Sequence, residues 1–208
     1  MSIASPVDHP VDHVVFDLGG VVCRWLPDRR LVALSELSGL PPATVDQVVF
    51  ESGFDDAGER GQFTLDEYTT TLGSLLGLEP SVDQRGLLSA AWALAYEPHP
   101  AVLRAVGAVA RPVALLTNNG PLMEHALGTE LGAVGAAFDQ LLFSWRLGAA
   151  KPDPEAFAAA TEALGTEPGR VLFIDDSEEN VAGARAFGWQ AAPFTTVLDL
   201  QATLAGLR

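Results

Sequence analysis

The chain has 208 residues, of which 48% are apolar and 19% are charged, and it has a single cysteine. This composition excludes a disordered chain and an internal disulfide framework, and the length suits one α/β domain or one domain with a modest insertion. The 27 acidic and 12 basic residues give a formal net charge of −15, which argues against nucleic acid and anionic membranes as partners.

The N-terminal residues 1–10 lack a basic start followed by an apolar run, so the sequence predicts no signal peptide. No stretch approaches the roughly 18 uninterrupted apolar residues that a membrane span requires. The lone cysteine, Cys23, follows two valines and is interpreted as a small buried thiol in a reducing compartment. These features together predict a cytoplasmic protein.

Short apolar runs separated by helical segments dominate the sequence. The runs predict strands at Val14–Asp17, Val113–Thr117, Gln140–Phe143 (a weaker one), Val171–Asp175 and Gln190–Phe194. Between and after them the sequence predicts helices at Ala101–Ala110, Leu122–Leu131, Glu155–Leu164, Asn180–Phe187 and Thr196–Leu207. Compact runs of this kind are typical of parallel strands covered on both faces. Their alternation with helices predicts an α/β fold with a doubly wound, Rossmann-like parallel sheet.

The long segment after the first strand has a different pattern. It shows no convincing strand and predicts about four helices, at Arg29–Ser38, Ala43–Val49, Leu65–Leu76 and Val82–Ala95. Turn-forming sequences such as Gly39-Leu-Pro-Pro separate these helices. We therefore expect an α/β core made of residues 1–24 and 98–208, with a helical cap of residues 25–97 inserted into it.

Three of the predicted strands end in polar residues. These residues are Asp17 after the first strand, Thr117, Asn118 and Asn119 after the next, and Asp175 and Asp176 after a later one. In open α/β sheets, ligands bind at the carboxyl ends of the strands, where the strand order reverses. The topology therefore predicts that these polar residues converge on one site.

The chemistry of the first strand end depends on Asp17 and the glycines that follow it. A carboxylate can act as a nucleophile toward phosphorus, and Gly19 and Gly20 leave backbone N–H groups free to turn toward a phosphate. An aspartate that caps a helix in an ordinary βα turn gives the same local pattern. This motif alone therefore leaves both interpretations open.

The other strand ends add a metal-binding and a phosphate-binding pattern. Adjacent carboxylates at Asp175 and Asp176 repel each other, which a hard cation such as Mg²⁺ relieves. Thr117 offers a hydroxyl just before a predicted helix, where phosphate oxygens bind. Lys151 is held between a small-residue loop and a proline and is one of only 12 basic residues. Taken singly, a solvated turn and a surface lysine are alternatives for these motifs, and Asn180 either orients one carboxylate or caps a helix.

These pieces, in this order and over essentially the whole chain, resemble the haloacid dehalogenase-like superfamily, in its subclass with a small helical cap. Asp17 matches the first motif, Thr117 the second, Lys151 the third, and Asp175 with Asp176 the fourth. The resemblance implies a phosphatase that uses Mg²⁺ and acts on a small phosphorylated metabolite.

The resemblance also implies a role for each matching residue. Asp17 attacks phosphorus and binds Mg²⁺, together with the backbone carbonyl of Gly19, with Asp176, and with Asp175 directly or through water. Thr117, the Asn118 backbone and the Gly20 region hold the phosphate oxygens. Lys151 neutralises Asp17 and the charge that develops on the phosphoryl group.

The sequence departs from the family pattern at Gly19, where relatives commonly have a second aspartate that protonates the leaving group and activates water. Losing such a group typically costs about 10²–10⁴-fold in rate. One interpretation is a phosphatase for sugar phosphates, because the sequence resembles bacterial sugar-1-phosphate phosphatases with glycine at this position. Glu59 or a water supplies the proton in that case, although a solvated Glu59–Arg60 ion pair is the alternative for this part of the cap. The other interpretations are a binding protein with a decayed site and a metal-free 2-haloacid dehalogenase. Dehalogenases of this family lack the adjacent acidic pair that this chain has at Asp175 and Asp176, which argues against the second of these.

Several residues of the predicted cap are candidates to face the cleft. They are Trp25, Phe54, Glu59, Arg60, Gln62, Trp92 and Tyr96. Trp92 and Tyr96 lie four positions apart on one predicted helix, which favours a place in the cap interior for both. The exact substrate and the oligomeric state are not predicted.

Overall fold

The computed structural model describes residues 10–207, so residues 1–9, which contain most of the segment tested for a signal peptide, and residue 208 lie outside the described part. The strands are β1 (His13–Phe16), β2 (Cys23–Trp25), β3 (Tyr96–Pro98), β4 (Val113–Thr117), β5 (Gln140–Phe143), β6 (Val171–Asp175) and β7 (Gln190–Pro193). Five of them form a parallel sheet in the order β5-β4-β1-β6-β7. The predicted α/β fold with a doubly wound parallel sheet is confirmed.

A helical insertion, defined here as residues 26–95, separates β2 from β3. Its helices are α1 (Pro27–Ser38), α2 (Pro42–Asp46) with a π-helical turn at Gln47–Glu51, α3 (Phe54–Glu59), α4 (Leu65–Leu75) and α5 (Gln84–Ala93). Thr64 caps α4 with its hydroxyl while the Glu67 side chain returns a bond to the Thr64 backbone. Tyr68, Leu72 and Trp92 are buried among these helices and form the interior of the insertion.

A short antiparallel ribbon lies at the two ends of the insertion and was not predicted. β2 pairs with β3, and Cys23 lies opposite Pro98, Arg24 opposite Glu97, and Trp25 opposite Tyr96. Tyr96 is therefore in a strand and not on the predicted helix, which ends at Ala93 as α5. The expectation that residues 25–97 contain no strand was wrong, because each ribbon strand is three residues long and gains its pairing partner from the distant end of the insertion.

Helices on both faces cover the sheet. They are α6 (Pro100–Val106), α7 (Pro121–Gly128), α8 (Gly132–Gly135), α9 (Ser144–Leu147), α10 (Pro154–Leu164), α11 (Glu178–Phe187) and α12 (Val197–Ala205). Val14 and Phe16 point into one apolar layer, and Val15 points into the other with Phe157 and Trp189. Among residues 10–207, no helix has both the length and the apolar character needed to cross a bilayer.

The strand order places the reversal point of the topology at β1. After β1 the chain adds β4 and β5 on one side, and then β6 and β7 on the other. The carboxyl ends of β1, β4 and β6 therefore lie side by side. This arrangement brings the polar residues of the three strand ends to one edge of the sheet, below the helical insertion.

Candidate active site

A cleft of about 340 Å³ lies between the strand ends and the helical insertion. Its sheet side is lined by Asp17, Gly19, Thr117, Asn118, Lys151 and Asp176. Its opposite side is lined by Arg30, Asp55 and Glu59 of the insertion and by Trp25 and Tyr96 of the β2–β3 ribbon. The polar residues predicted to converge from separate strand ends do so in this cleft.

Lys151 connects two of the strand ends through its side-chain ammonium. Its Nζ donates to Asp17 Oδ1 at 2.6 Å, to Asp175 Oδ2 at 2.8 Å and to the Leu116 carbonyl at 3.0 Å. Burial alone lowers the pKa of Lys151, but the Asp17 and Asp175 carboxylates outweigh it and raise the pKa above the ordinary lysine value. Lys151 is therefore a fixed positive charge beside Asp17.

The backbone of Lys151 is held in place by Asn118. The Asn118 Nδ2 group donates to the Lys151 carbonyl at 2.8 Å, and the Lys151 N–H donates to Asn118 Oδ1 at 2.9 Å. This pair of bonds connects the loop after β4 to the loop before α10. Asn118 thus positions the lysine with its side chain, while among residues 10–207 its own backbone N–H has no hydrogen-bond partner.

Both side-chain oxygens of Asp175 accept hydrogen bonds within the protein. Besides Lys151, Asp175 accepts from the Ser177 N–H at 2.8 Å and from Asn180 Nδ2 at 3.2 and 3.1 Å to its two oxygens. Asn180 therefore orients this carboxylate, one of the two roles predicted for it, and the Ser177 hydroxyl caps α11. Asp176, next in the chain, is exposed. Burial, and then the neighbouring Asp175, raise the pKa of Asp176.

The three acidic residues are arranged as a candidate cation site. Asp17, Asp175 and Asp176 each offer an oxygen within 4.8 Å of the others. Burial is the main reason that the pKa of Asp17 is raised to about 6, and Lys151 opposes the shift. The Gly19 carbonyl accepts no hydrogen bond from the described residues and lies in the same cleft. An all-oxygen donor set, with three carboxylates around the single ammonium of Lys151, fits Mg²⁺.

The two glycines after Asp17 have separate structural roles. Gly20 adopts a φ of +80°, and a side chain there would overlap the Asp176 carboxylate. Its N–H donates to the Cys23 carbonyl at 2.8 Å, so this donor is not available to a phosphate. The prediction of a phosphate contact from Gly20 is corrected accordingly. Among residues 10–207, no acceptor is found for the Gly19 N–H.

Thr117 is held by a chain of buried polar groups that the sequence did not reveal. Asn119 Nδ2 donates to the Thr117 hydroxyl at 2.7 Å, and the Tyr96 hydroxyl donates to Asn119 Oδ1 at 2.9 Å. The Asn119 N–H donates to the Ser144 hydroxyl at 3.1 Å. Because Asn119 donates to it, the Thr117 hydroxyl is free to direct its own hydrogen toward the cleft.

The insertion contributes a buried cation that the sequence also did not reveal. Arg30 is 6% exposed, and its guanidinium carbon lies 5.1, 4.4 and 4.2 Å from the ring centres of Trp25, Phe50 and Trp92. Its Nε has no hydrogen-bond partner within the described residues. The aromatic faces stabilise the charge. Arg30 lines the cleft, but its unpaired Nε is buried and does not face it.

The predicted cleft-facing residues divide into two groups. Trp25, Glu59 and Tyr96 line the cleft. Phe54 and Trp92 are instead buried in the insertion, and Arg60 and Gln62 are exposed. The interior position predicted for Trp92 is confirmed. Tyr96 is buried as well, but it lies in β3 rather than on that helix and also lines the cleft. Arg60 forms ion pairs with Asp56 and Asp153 rather than with Glu59.

Cys23 is fully buried at the start of β2. Burial, and to a smaller extent the nearby Asp17 carboxylate, raise the pKa of this thiol to about 12. The interpretation of Cys23 as a small buried thiol is confirmed.

A family model described as haloacid dehalogenase-like hydrolase matches residues 11–188. The chain belongs to this family. The enzyme class expected for the haloacid dehalogenase-like motifs, a hydrolase, is thereby confirmed. Asp17, Thr117, Lys151, Asp175 and Asp176 all lie within the matched range.

Comparison with characterised members of the family shows more than one activity. A GMP/IMP nucleotidase from Escherichia coli is 39% identical over 187 residues, which cover 86% of this chain and 80% of that protein. An (S)-2-haloacid dehalogenase from Xanthobacter autotrophicus is 34% identical over 125 residues, which cover 59% of this chain and 47% of that one. Several further relatives are phosphatases.

The fold is shared with solved structures of the family. A haloacid dehalogenase-like enzyme from Bacteroides thetaiotaomicron, crystallised with magnesium and inorganic phosphate, superposes with a TM-score of 0.70 at 23% identity. The superposition covers 89% of this chain and 94% of that one. At this identity the likeness shows the fold alone.

Proposed function

We propose that this protein is a Mg²⁺-dependent phosphatase that hydrolyses phosphate esters of small metabolites, with sugar phosphates favoured, through a phosphorylated Asp17. The observation that carries the proposal is the position of Asp17, bonded to buried Lys151 at 2.6 Å and grouped with two further carboxylates. The phosphatases among its relatives, and the magnesium and phosphate bound by the Bacteroides enzyme, support it.

In the proposed reaction, Asp17 attacks phosphorus in line, and the bond to the leaving oxygen breaks on the opposite side. The Thr117 hydroxyl and the Asn118 N–H hold the phosphoryl oxygens. Lys151 neutralises the carboxylate before attack and the phosphoryl charge during it. Water then attacks phosphorus, releases inorganic phosphate and regenerates Asp17.

Asp17, Asp176 and the Gly19 carbonyl would hold Mg²⁺, with Asp175 behind them, because both Asp175 oxygens already accept hydrogen bonds within the protein. Bound Mg²⁺ offsets the repulsion between the carboxylates and the phosphate dianion. The net charge of −15 makes such local positive charge necessary.

The proposed cap, residues 25–97, covers the cleft and recognises the leaving group. Arg30 lines this side with its cationic guanidinium, and Asp55 and Glu59 offer oxygens. A hydroxyl group both donates and accepts, so it suits such a mixed set, whereas a second phosphate would approach Asp55. The half-exposed Trp25 ring adds an apolar face to the same wall. These features favour a sugar or polyol phosphate.

Phosphate release from a panel of sugar phosphates, acyl phosphates, nucleotides and p-nitrophenyl phosphate tests the proposal. We expect Mg²⁺-dependent turnover that EDTA removes and that Asp17→Asn abolishes. Glu155→Gln, which neutralises an exposed carboxylate on α10, is the matched control and retains activity. Circular dichroism of each variant verifies that it is folded.

Two outcomes contradict the proposal. Halide release from a 2-haloacid without metal identifies a dehalogenase, the activity of one relative. Phosphate binding without turnover of any panel member identifies a binding protein, the interpretation that Gly19 alone favours.

A further inference from the structure

The first step of the reaction lacks an obvious proton source, because Gly19 has no side chain. The other proton-bearing groups of the cleft are already engaged on the sheet side or within the insertion. Asp55 accepts a bond from the Tyr68 hydroxyl at 2.8 Å, and the Tyr96 hydroxyl donates to Asn119. On the insertion side, the Glu59 carboxyl group has no hydrogen bond or ion pair within residues 10–207. Asp176, on the sheet side, is likewise unpaired, but the proposed function assigns it to Mg²⁺.

The position of Glu59 is fixed by contacts between α3 and the sheet side. A methyl group placed on Gly120, in the loop after β4, would lie 3.4 Å from the Gly58 carbonyl carbon and 3.7 Å from the Glu59 backbone nitrogen. Arg60 Nη1 bonds Asp153 Oδ2 at 3.2 Å. The C-terminal end of α3 therefore lies directly on the loop after β4, which begins at Asn118, next to Thr117.

In-line displacement places the leaving oxygen opposite Asp17. The water that later attacks the aspartyl-phosphate takes the same place, because the second step is also in line. Asp17 lies at the end of β1, on the sheet side of the cleft, so this place faces the insertion. A group that serves both steps must project into the cleft from that side, as Glu59 does.

The surroundings of Glu59 favour its protonated form. Burial, and then the Asp55 carboxylate, raise the pKa of Glu59 to about 8, and Asp56 adds to the effect. Arg30 and Arg60 oppose the shift. Within residues 10–207, the Tyr68 and Tyr96 hydroxyls also lie near Glu59, and burial raises the pKa of both, so both are neutral.

We propose that Glu59 is the catalytic acid and base that replaces the carboxylic acid absent from position 19. The inference rests on the phosphatase function proposed above. In the first step, Asp17 bonds to phosphorus, the P–O bond to the leaving group breaks, and the leaving oxygen takes the Glu59 proton. In the second, the Glu59 carboxylate takes a proton from water as its oxygen bonds to phosphorus and the P–O bond to Asp17 breaks. One ester and one water thus give one alcohol and one phosphate, with Glu59 protonated again.

Glu59→Gln separates the two steps when the leaving group is varied. For ribose 5-phosphate, whose leaving alcohol needs a proton, we expect kcat/KM to fall about 10²–10⁴-fold. For p-nitrophenyl phosphate, whose leaving phenolate needs none, phosphorylation persists but water attack is slow. We expect a stoichiometric burst of p-nitrophenol and accumulation of phosphate on Asp17, measured by stopped-flow absorbance and mass spectrometry.

Glu51→Gln is the matched control, because it neutralises an exposed acid in the π-helical turn just before the same helix. It retains wild-type turnover and shows no burst. With the alkyl ester, wild-type kcat/KM falls as pH rises through about 8, where Glu59 loses its proton. Glu59→Gln lacks this alkaline limb, whereas a variant that merely loosened the fold would keep it.

Adding Gly19→Asp to Glu59→Gln provides a second test. A Cβ atom at position 19 would lie 3.5 Å from Tyr96 Cε1, an ordinary contact, so the backbone position has room for a side chain to begin. We expect the double variant to turn over ribose 5-phosphate at least about 10-fold faster than Glu59→Gln alone. Gly19→Asp in the wild-type background raises turnover far less.

Three results would overturn the assignment while leaving the phosphatase proposal intact. They are unchanged ribose 5-phosphate turnover in Glu59→Gln, an equal loss on both substrates without a burst, and a wild-type enzyme that hydrolyses p-nitrophenyl phosphate but no alkyl ester. A wild-type protein without any Mg²⁺-dependent phosphatase activity would instead contradict the proposed function.

Discussion

The buried ammonium group of Lys151 contacts two buried carboxylates, those of Asp17 and Asp175. Lys151→Met leaves two like charges unpaired in the interior, and we expect it to lower the free energy of unfolding by about 3–5 kcal/mol. Urea denaturation measures this loss. Adding Asp17→Asn to the variant removes one of the unpaired charges and recovers part of the loss. A cost below about 1 kcal/mol, or none recovered, would show that the pairs are not coupled as the distances indicate.

Arg30 is expected to act on substrate binding rather than on the chemical step. Arg30→Lys keeps the charge but loses the planar guanidinium that lines the cleft. We expect KM for a sugar phosphate to rise about 10-fold, as the loss of one charge-assisted hydrogen bond implies, with kcat changed much less. Steady-state kinetics give both values. A fall in kcat at constant KM would place Arg30 in the chemical step instead.

The raised pKa of Glu59 also implies that the stability of the folded protein depends on pH. Glu59 has a pKa of about 8 in the folded protein and about 4.5 when unfolded, so the folded state binds more protons between these values. Its contribution to stability is therefore most favourable below about pH 4.5 and declines as pH rises toward 8. We expect the Tm of Glu59→Gln, relative to wild type, to increase between pH 5 and pH 8, measured by calorimetry. A constant difference would show that Glu59 does not titrate in this range.

At the residue scale, the sequence predicted the groups that follow strands and missed those whose position depends on distant contacts. Asp17, Thr117 and Asp175 meet as expected, because parallel strands bring their ends together. Arg30 carries no sequence signal, since charged residues are usually exposed and its burial needs aromatic rings from three separate segments. Asn119 was recognised only as polar, because its partners Tyr96 and Ser144 are far away in the chain.

At the element scale, the close contact between the α3 region and the sheet side can be tested through Gly61. Gly61 has a φ of +78°, and an added methyl group would overlap the Trp145 carbonyl. Gly39→Ala is the matched control, because Gly39 has a φ of +72° and open space around it. We expect Gly39→Ala to cost about 1 kcal/mol through strain alone, and Gly61→Ala to cost more and to lower kcat/KM.

Thermal unfolding and kinetics of the two variants measure the difference. Equal costs, with equal activity, would show that the region around Gly61 is not held against α9 in solution.

The elements predicted well are those with strong local signals. β4, β5 and β6 were predicted with the observed limits, and α10 to within one residue. The ribbon of β2 and β3 was missed because Arg24 and Pro98 are unfavourable for strands and the pairing is long-range. α3 was missed because Gly58 and an acidic run weaken the helical pattern, and packing of Phe54 on Tyr68 stabilises it instead.

At the scale of the whole molecule, the net charge of −15 acts on substrate capture. A phosphate dianion is repelled at long range, and salt screens this repulsion over a Debye length of about 10 Å at 0.1 M. We expect kcat/KM for a phosphorylated substrate to rise with KCl from about 10 to 100 mM at saturating Mg²⁺. A decrease would mean that the cleft attracts the substrate electrostatically and that local positive charge dominates the field.

The parallel sheet brings the acidic strand ends together around Asp17, and the proposed function requires that Asp17 becomes phosphorylated during turnover. The most direct test is rapid acid quenching of the enzyme with p-nitrophenyl phosphate and Mg²⁺, followed by peptide mass spectrometry. The predicted result is one phosphoryl group on the peptide that contains Asp17, absent without Mg²⁺ and absent in Asp17→Asn. Phosphate release that persists in Asp17→Asn, or turnover with no phosphoryl group on Asp17 in either wild type or Glu59→Gln, would contradict the account.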